Sequence, residues 1–465
     1  MTLQDRLFAD MADLSLIDRA AASARAHVAD ALARRVFPTD DAIAALSALE
    51  GPLGAGAPAG AVLDEMDAVI RPATAEMLGG RYFGFVNGGV VPAALAARIV
   101  ADAWDQNAAL GVMSPAASRL ETIVEGWLLD LFGLPESGAC GFVSGSSMAI
   151  VCGLAAGRWR LLRQAGWDVN AKGLFGAPEL RVVAGREAHS AVLRALRLLG
   201  FGADRIEWAP CDAEGRIIPE QAPMIDERTL VLLQAGHVAS GAFDPMEAMI
   251  AEARAEGAWV HVDGAFGLWA ATSPRFAHLT KGMARAHSFS ADAHKTLNAP
   301  YDNGLVLTTD AAALGHALSA SASYLPAGEG LRDGMAYTTE MSRRGRIFEL
   351  WALLKYLGRD GVGELVELLC DRATFFADEL RDAGFHVPHD VVFNQCMAQC
   401  ATDEETLAAM RGLQASGEAW AGPTDWPGPN GQTKAIRFSV CSWATTKGDI
   451  RRAVAALARA REAAR

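Results

Sequence analysis

Short apolar runs recur along the middle of this chain: Arg181-Val-Val-Ala-Gly185, Thr229-Leu-Val-Leu-Leu-Gln234, Ala258-Trp-Val-His-Val262 and Leu305-Val-Leu-Thr308. Stretches with helical spacing lie between several of them. A strand that is apolar on both sides cannot turn either face to water, so such runs call for a largely parallel sheet covered by helices on both faces. In sheets of this kind ligands sit at the carboxyl ends of the strands. Asp263 stands at such an end, directly after the third run.

The remaining organisation is coarser. The chain has 465 residues, more than one compact core accommodates. Residues 11–50 are Ala-rich with helical spacing and read as an arm that packs on something else. Gly51-Pro-Leu-Gly-Ala-Gly-Ala-Pro-Ala-Gly60 reads as a flexible connector. Ser114-Pro-Ala-Ala-Ser118-Arg-Leu-Glu121 opens a helix in which Ser118 and Glu121 have capping-box spacing. After about residue 345 a long helix, broken at Gly358, leads into a smaller unit with a late strand around Ala435–Val440 and a final Ala/Arg helix. The expected division is an arm over 1–80, a large unit over 81–345 and a small α+β unit over 346–465.

Composition excludes some classes. With 51% apolar and 21% charged residues this is a globular chain. A net charge of −13 disfavours nucleic acid as a partner. No apolar run approaches the ~20 residues of a membrane span, and the first residues lack the basic-then-apolar pattern of a secretory signal. The seven cysteines are odd in number and scattered, and Cys396 and Cys400 have no His partner at zinc-site spacing. They read as reduced structural thiols, which fits a cytoplasmic location and no metal.

The chemistry concentrates after the strands. Lys295, preceded by His294, lies in a polar turn between apolar runs. A surface lysine would explain it; so would an amine held ready to form a Schiff base. Asp263 could cap the next segment, or pair with the protonated nitrogen of a pyridine ring. Taken together the two suggest a pyridoxal phosphate site, with Ala265 placing a small group against the ring. Ser144-Gly-Ser146-Ser147 follows a strand and opens a helix, so it is either an ordinary N-cap or a phosphate cradle. His189, at the start of another helix, could cap it, stack on a ring or carry a proton. Arg437 could hold a substrate carboxylate or a structural ion pair. The Gly-rich segment 321–342 could be a lid bearing a proton donor, with Tyr337 or Tyr324 as candidate, or a plain surface loop.

In that order these motifs resemble the group II pyridoxal-phosphate-dependent amino-acid decarboxylases, which include the glutamate and aromatic-amino-acid enzymes. The shorter bacterial members are the most similar. The motifs that carry the resemblance are Ser114–Glu121, Ser144–Ser147, His189-Ser190, Gly241-Ala-Phe-Asp-Pro245, His261-Val-Asp263-Gly-Ala265, Asp292-Ala-His294-Lys295 and Ser342-Arg-Arg-Gly-Arg346. The resemblance implies a fold-type-I, aspartate-aminotransferase-like architecture and a homodimer with active sites at the subunit interface. It implies Lys295 as the Schiff-base lysine, Asp263 on the ring nitrogen, His189 stacked on the ring, and Ser146, Ser147 and His294 around the cofactor. Arg437 matches a position that contacts the substrate carboxylate, and Tyr337 is the better match for a lid tyrosine. Three departures bear on the substrate. Thr296 replaces a common Trp, His237 stands where Thr or Asn is usual, and the aromatic substrate wall is reduced to Phe85 beside Val86. The implied reaction is decarboxylation of an L-amino acid to an amine and carbon dioxide. Oxidative deamination to an aldehyde, aminotransfer and a non-catalytic scaffold are the alternatives.

Overall fold

The computed structural model describes residues 1–318, 330–428 and 431–465. The large sheet contains β1 (Ala139–Val143), β2 (Arg181–Gly185), β3 (Ile206–Ala209), β4 (Thr229–Gln234), β5 (Trp259–Asp263), β6 (Ser288–Asp292) and β7 (Gly304–Thr308). They lie in the order β1-β7-β6-β5-β4-β2-β3. Strands β2 to β6 are parallel, and β7 runs antiparallel to both of its neighbours. The run Leu305–Thr308 is thus the reversed member of a mostly parallel sheet.

Alternation along single strands shows why both faces are covered. Val231 and Leu233 of β4 enter one core, with Val260, Val262, Leu305 and Leu307. Leu230 and Leu232 enter the opposite core, with Trp259 and Val306. This is the two-residue period of a pleated strand buried on both sides. The least apolar strand, β6, is satisfied internally. Ser288 Oγ lies 2.8 Å from His261 Nδ1 and accepts from Trp259 Nε1 at 3.0 Å, while Ser290 Oγ donates to Asp263 at 3.0 Å.

The helix Pro115–Leu131 begins one turn earlier than the capping-box spacing suggested. Ser114 is its N-cap, accepting from the Ala117 N–H, and Ser118 instead donates to the Arg332 carbonyl. Glu121 is buried against Arg343 and Arg332 rather than returning to a cap. Burial makes the difference: a carboxylate taken from water is held by a cation more strongly than by one backbone N–H.

A smaller sheet holds β8 (Gln395–Ala398), β9 (Gly422–Gly428) and β10 (Gly431–Ser439) in the antiparallel order β8-β10-β9. The helix Ile347–Asp382 kinks at Gly358, where φ is 64°, and its second half joins the core beneath this sheet. Phe83 packs in that core against Phe376 and Phe438. The N-terminal helices Leu3–Ala12 and Ser15–Asp30 bury none of their residues and leave Leu3, Leu7, Met11 and Leu14 exposed.

Candidate active site

The carboxyl ends of β1, β2, β4, β5 and β6 deliver Ser146, His189, His237, Asp263 and Lys295 to one edge of the sheet. Asp263 is the last residue of β5 and is buried. Its Oδ1 accepts from Ser290 Oγ at 3.0 Å and from the Ala265 N–H at 3.2 Å. Among the described residues its other oxygen receives no hydrogen bond. Burial pushes this carboxyl above its ordinary value, against the pull of His189 and Lys295.

Lys295 follows β6 by three residues, and its Nζ lies 3.0 Å from Asp292 Oδ2. Asp292 is the group to which sequence reasoning gave no role. It also takes both donors of Ser146, the N–H at 2.5 Å and the hydroxyl at 2.7 Å, and His294 Nε2 stands 3.6 Å away. Burial would raise this carboxyl, but Lys295, His294 and Ser146 outweigh it and hold it below its usual value. The signal was present: an acid at the end of a strand, three residues before a lysine. Ser146, expected at a phosphate, therefore spends its donors on Asp292, whereas Ser147 is exposed on the first turn of the same helix.

His189 caps the helix Ser190–Leu198, its Nδ1 accepting from the Ala191 N–H at 3.2 Å. A neutral ring thus carries its proton on Nε2. Its exposed ring is open to stacking. Desolvation lowers its pKa, and Asp263, Lys295 and Arg437 lie near enough for their charges to act on it. His294 packs at a tilt against Tyr301 with ring centroids 4.3 Å apart, and its Nδ1 accepts from the Asn303 N–H.

Arg437 lies near the end of β10 rather than at the start of its strand. It donates to the Val238 carbonyl at 3.0 Å, and no carboxylate pairs with it among the described residues. His237 is buried with Nδ1 accepting from Ala239 and Ser240; burial takes its pKa down to about 4. It is a neutral wall. Phe85 is exposed and stacks on Trp420 at 5.1 Å. Phe85 and Val86 both hold positive φ, 52° and 58°, a strained conformation for residues with a Cβ. The strain delivers Gly88 onto the lysine turn, where a Cβ would come within 2.2 Å of the Lys295 carbonyl oxygen. Thr296 is buried and donates to the Phe266 carbonyl at 2.7 Å, so it braces the turn from below.

Tyr337 lies on the described segment that follows the other lid candidate, Tyr324. Its ring lies under the Arg332 guanidinium, 3.8 Å from the centroid, and Arg332 is fixed by Glu121 and Glu125. Tyr324 lies outside the described residues. The remaining set fits pyridoxal phosphate: an amine, a buried carboxylate with a spare oxygen, an open imidazole face and a helix N-terminus.

Residues 57–397 match the family model described as the pyridoxal-dependent decarboxylase conserved domain. The chain belongs to the pyridoxal-dependent decarboxylase family. Curated relatives include the mouse acidic amino acid decarboxylase GADL1, 28% identical over 315 residues, covering 65% of this chain and 56% of that protein. Tryptophan decarboxylase 1 of rice is 27% identical, with 71% and 69% covered. The chain spans little more than half the length of the acidic amino acid decarboxylases it matches. The crystal structure of the rice TDC with PLP and tryptamine superposes with a TM-score of 0.87 over 97% of this chain and 98% of that one, at 24% identity. Mouse CSAD gives the same TM-score at 19% identity. Fold-type-I architecture is thereby established for this decarboxylase-family chain, as the resemblance implied.

Proposed function

We propose that this chain removes the α-carboxylate of an L-amino acid, giving the corresponding amine and carbon dioxide. The observation that carries the reading is Asp263, a buried carboxylate with a spare oxygen among charges that include Lys295 and His189. Bound pyridoxal phosphate supplies an electron sink for the pair released when a carboxylate leaves. Asp263 would keep the ring nitrogen protonated, Lys295 would hold the cofactor, and His189 would cover one ring face. Ser147, His294 and the N-terminus of the helix Ser146–Gln164 would hold the phosphate. Arg437, lacking a protein anion, takes the substrate carboxylate. Phe85 and His237 border the substrate side chain. Tyr337 or a protonated His189 would return a proton to Cα.

The partner we propose is a second copy of the chain, covering the exposed apolar stripe of the N-terminal arm. The test of function is a screen of the cofactor-loaded protein against the common L-amino acids, diaminobutyrate and cysteine sulfinate, reading carbon dioxide and amine. Equimolar amine and carbon dioxide support the reading. Ammonia with peroxide would move it to aldehyde formation, and a strict need for a 2-oxo acid would move it to aminotransfer. A Lys295→Ala chain with wild-type turnover would remove it.

A further inference from the structure

Lys295 follows a strand of the large sheet and Arg437 lies in the small one, and the proposed substrate meets both. One residue joins their surroundings. Asn298 is fully buried and sits in the left-handed region at φ 59°, which asparagine tolerates better than most residues with a Cβ. Its side-chain amide donates to the carbonyls of Lys295 (3.0 Å), Thr296 (2.9 Å) and Cys441 (2.8 Å). Its Oδ1 accepts from the Trp443 N–H at 2.8 Å. Its backbone carbonyl accepts from Val91 at 2.9 Å, at the end of the segment that begins with Phe85.

The bonds to Lys295 and Thr296 close a local turn, and many sequences close such turns unaided. The bonds to Cys441 and Trp443 do not serve that turn. They reach the connection that leaves β10 a few residues after Arg437. Two N–H groups are shared among three carbonyls, so a hydroxyl or carboxylate at this position leaves buried acceptors without donors. We infer that Asn298 is a positioning residue that fixes the distance between the amine at Lys295 and the guanidinium at Arg437, and so the alignment of a bound amino acid. The inference rests on the proposed roles of those two groups.

Asn298→Gly keeps the left-handed backbone and deletes the amide; Asn298→Asp keeps the size and replaces the donor. Both are loaded with pyridoxal phosphate and compared with wild type by cofactor absorbance, thermal melting, kcat and KM, alone and combined with Arg437→Gln. We expect retained cofactor absorbance and a ten- to hundredfold loss of kcat/KM for Asn298→Gly, on the scale of an ångström-sized misplacement. In the Arg437→Gln background the same change costs less than about threefold, because no carboxylate site remains to be aligned. Equal losses in the two backgrounds, or a lower melting temperature with unchanged kinetics, overturn the inference and leave the site reading intact. A wild-type chain that takes up no cofactor sinks both. Where Asn298→Asp fails to fold, Asn298→Gly carries the decision.

Discussion

Asp263 and Asp292 end neighbouring strands and are both buried, yet their carboxyls move in opposite directions. The difference is the number of partners. Asp292 has an ammonium at 3.0 Å and two donors from Ser146, which more than offset its desolvation. Asp263 has one hydroxyl and one backbone N–H, and it remains short of a cation. A carboxylate held in that condition is built to receive positive charge from something bound. Asp263→Asn preserves the shape and removes that charge. The expected result is a chain that still takes up pyridoxal phosphate but releases carbon dioxide about a hundredfold more slowly or worse, the scale of losing one preorganised electrostatic contact. Cofactor absorbance and steady-state rates measured together check it.

Between elements, the decisive contacts are ionic and buried. Glu121, on the helix Pro115–Leu131, meets Arg343 at 2.7 Å where both side chains are almost sealed from water. The same glutamate meets Arg332, which covers Tyr337. Replacing Glu121 by Gln leaves Arg343 without a carboxylate in a dry site, while Arg332 keeps Glu125. Unfolding free energy is expected to fall by about 3–5 kcal/mol. Asp64→Asn, which breaks the exposed pair with Arg19 on the arm, is expected to cost less than about 1 kcal/mol. Denaturant titrations of the two variants give the comparison. This element also marks the limit of sequence reading. The strands and their reactive ends were legible because apolar runs and breaks are local signals; Lys295, Asp263 and His189 all fell where the pattern ended. Glu121 was read as half of a local cap because its true partners lie more than two hundred positions away. The donors of Ser146 were assigned to a phosphate for the same reason: Asp292 approaches only once β1 and β6 share a sheet.

At the scale of the molecule, three buried histidines and the half-buried His287 are held neutral. Burial takes His237, His287 and His389 down to about 4 and His261 to about 3. The unfolded chain binds protons at these sites near pH 6.5 and the folded chain does not, so stability falls as pH drops from about 6.5 towards 4. Each site contributes on the order of 3 kcal/mol at full titration. Asp244, raised to about 6 by burial, works in the other direction, as do the raised carboxyls of Asp263, Glu121, Glu214 and Glu349, while the lowered His189 and His294 add to the histidine side. Melting temperatures at pH 7.5, 6 and 5 are expected to decline in that order, and a flat profile would contradict the assignment. The exposed stripe of Leu3, Leu7, Met11 and Leu14 carries the matching prediction for assembly. Light scattering is expected to give twice the chain mass, and deletion of residues 1–30 to give the single-chain mass.

The reversed strand β7 has a consequence in time. β1 lies at the edge of the large sheet and pairs only with β7 among the described strands, and β7 follows it by roughly 160 residues of chain. At ribosomal speeds of about 5–20 residues per second, β1 waits on the order of ten to thirty seconds for its neighbour to be made. The turn that carries Ser147 follows β1 directly, and the turn that carries Lys295 directly precedes β7. The last hydrogen bonds to close the sheet therefore also assemble the cofactor site. A chain interrupted before Gly304 carries both halves of that site without the strand that joins β1 to β6.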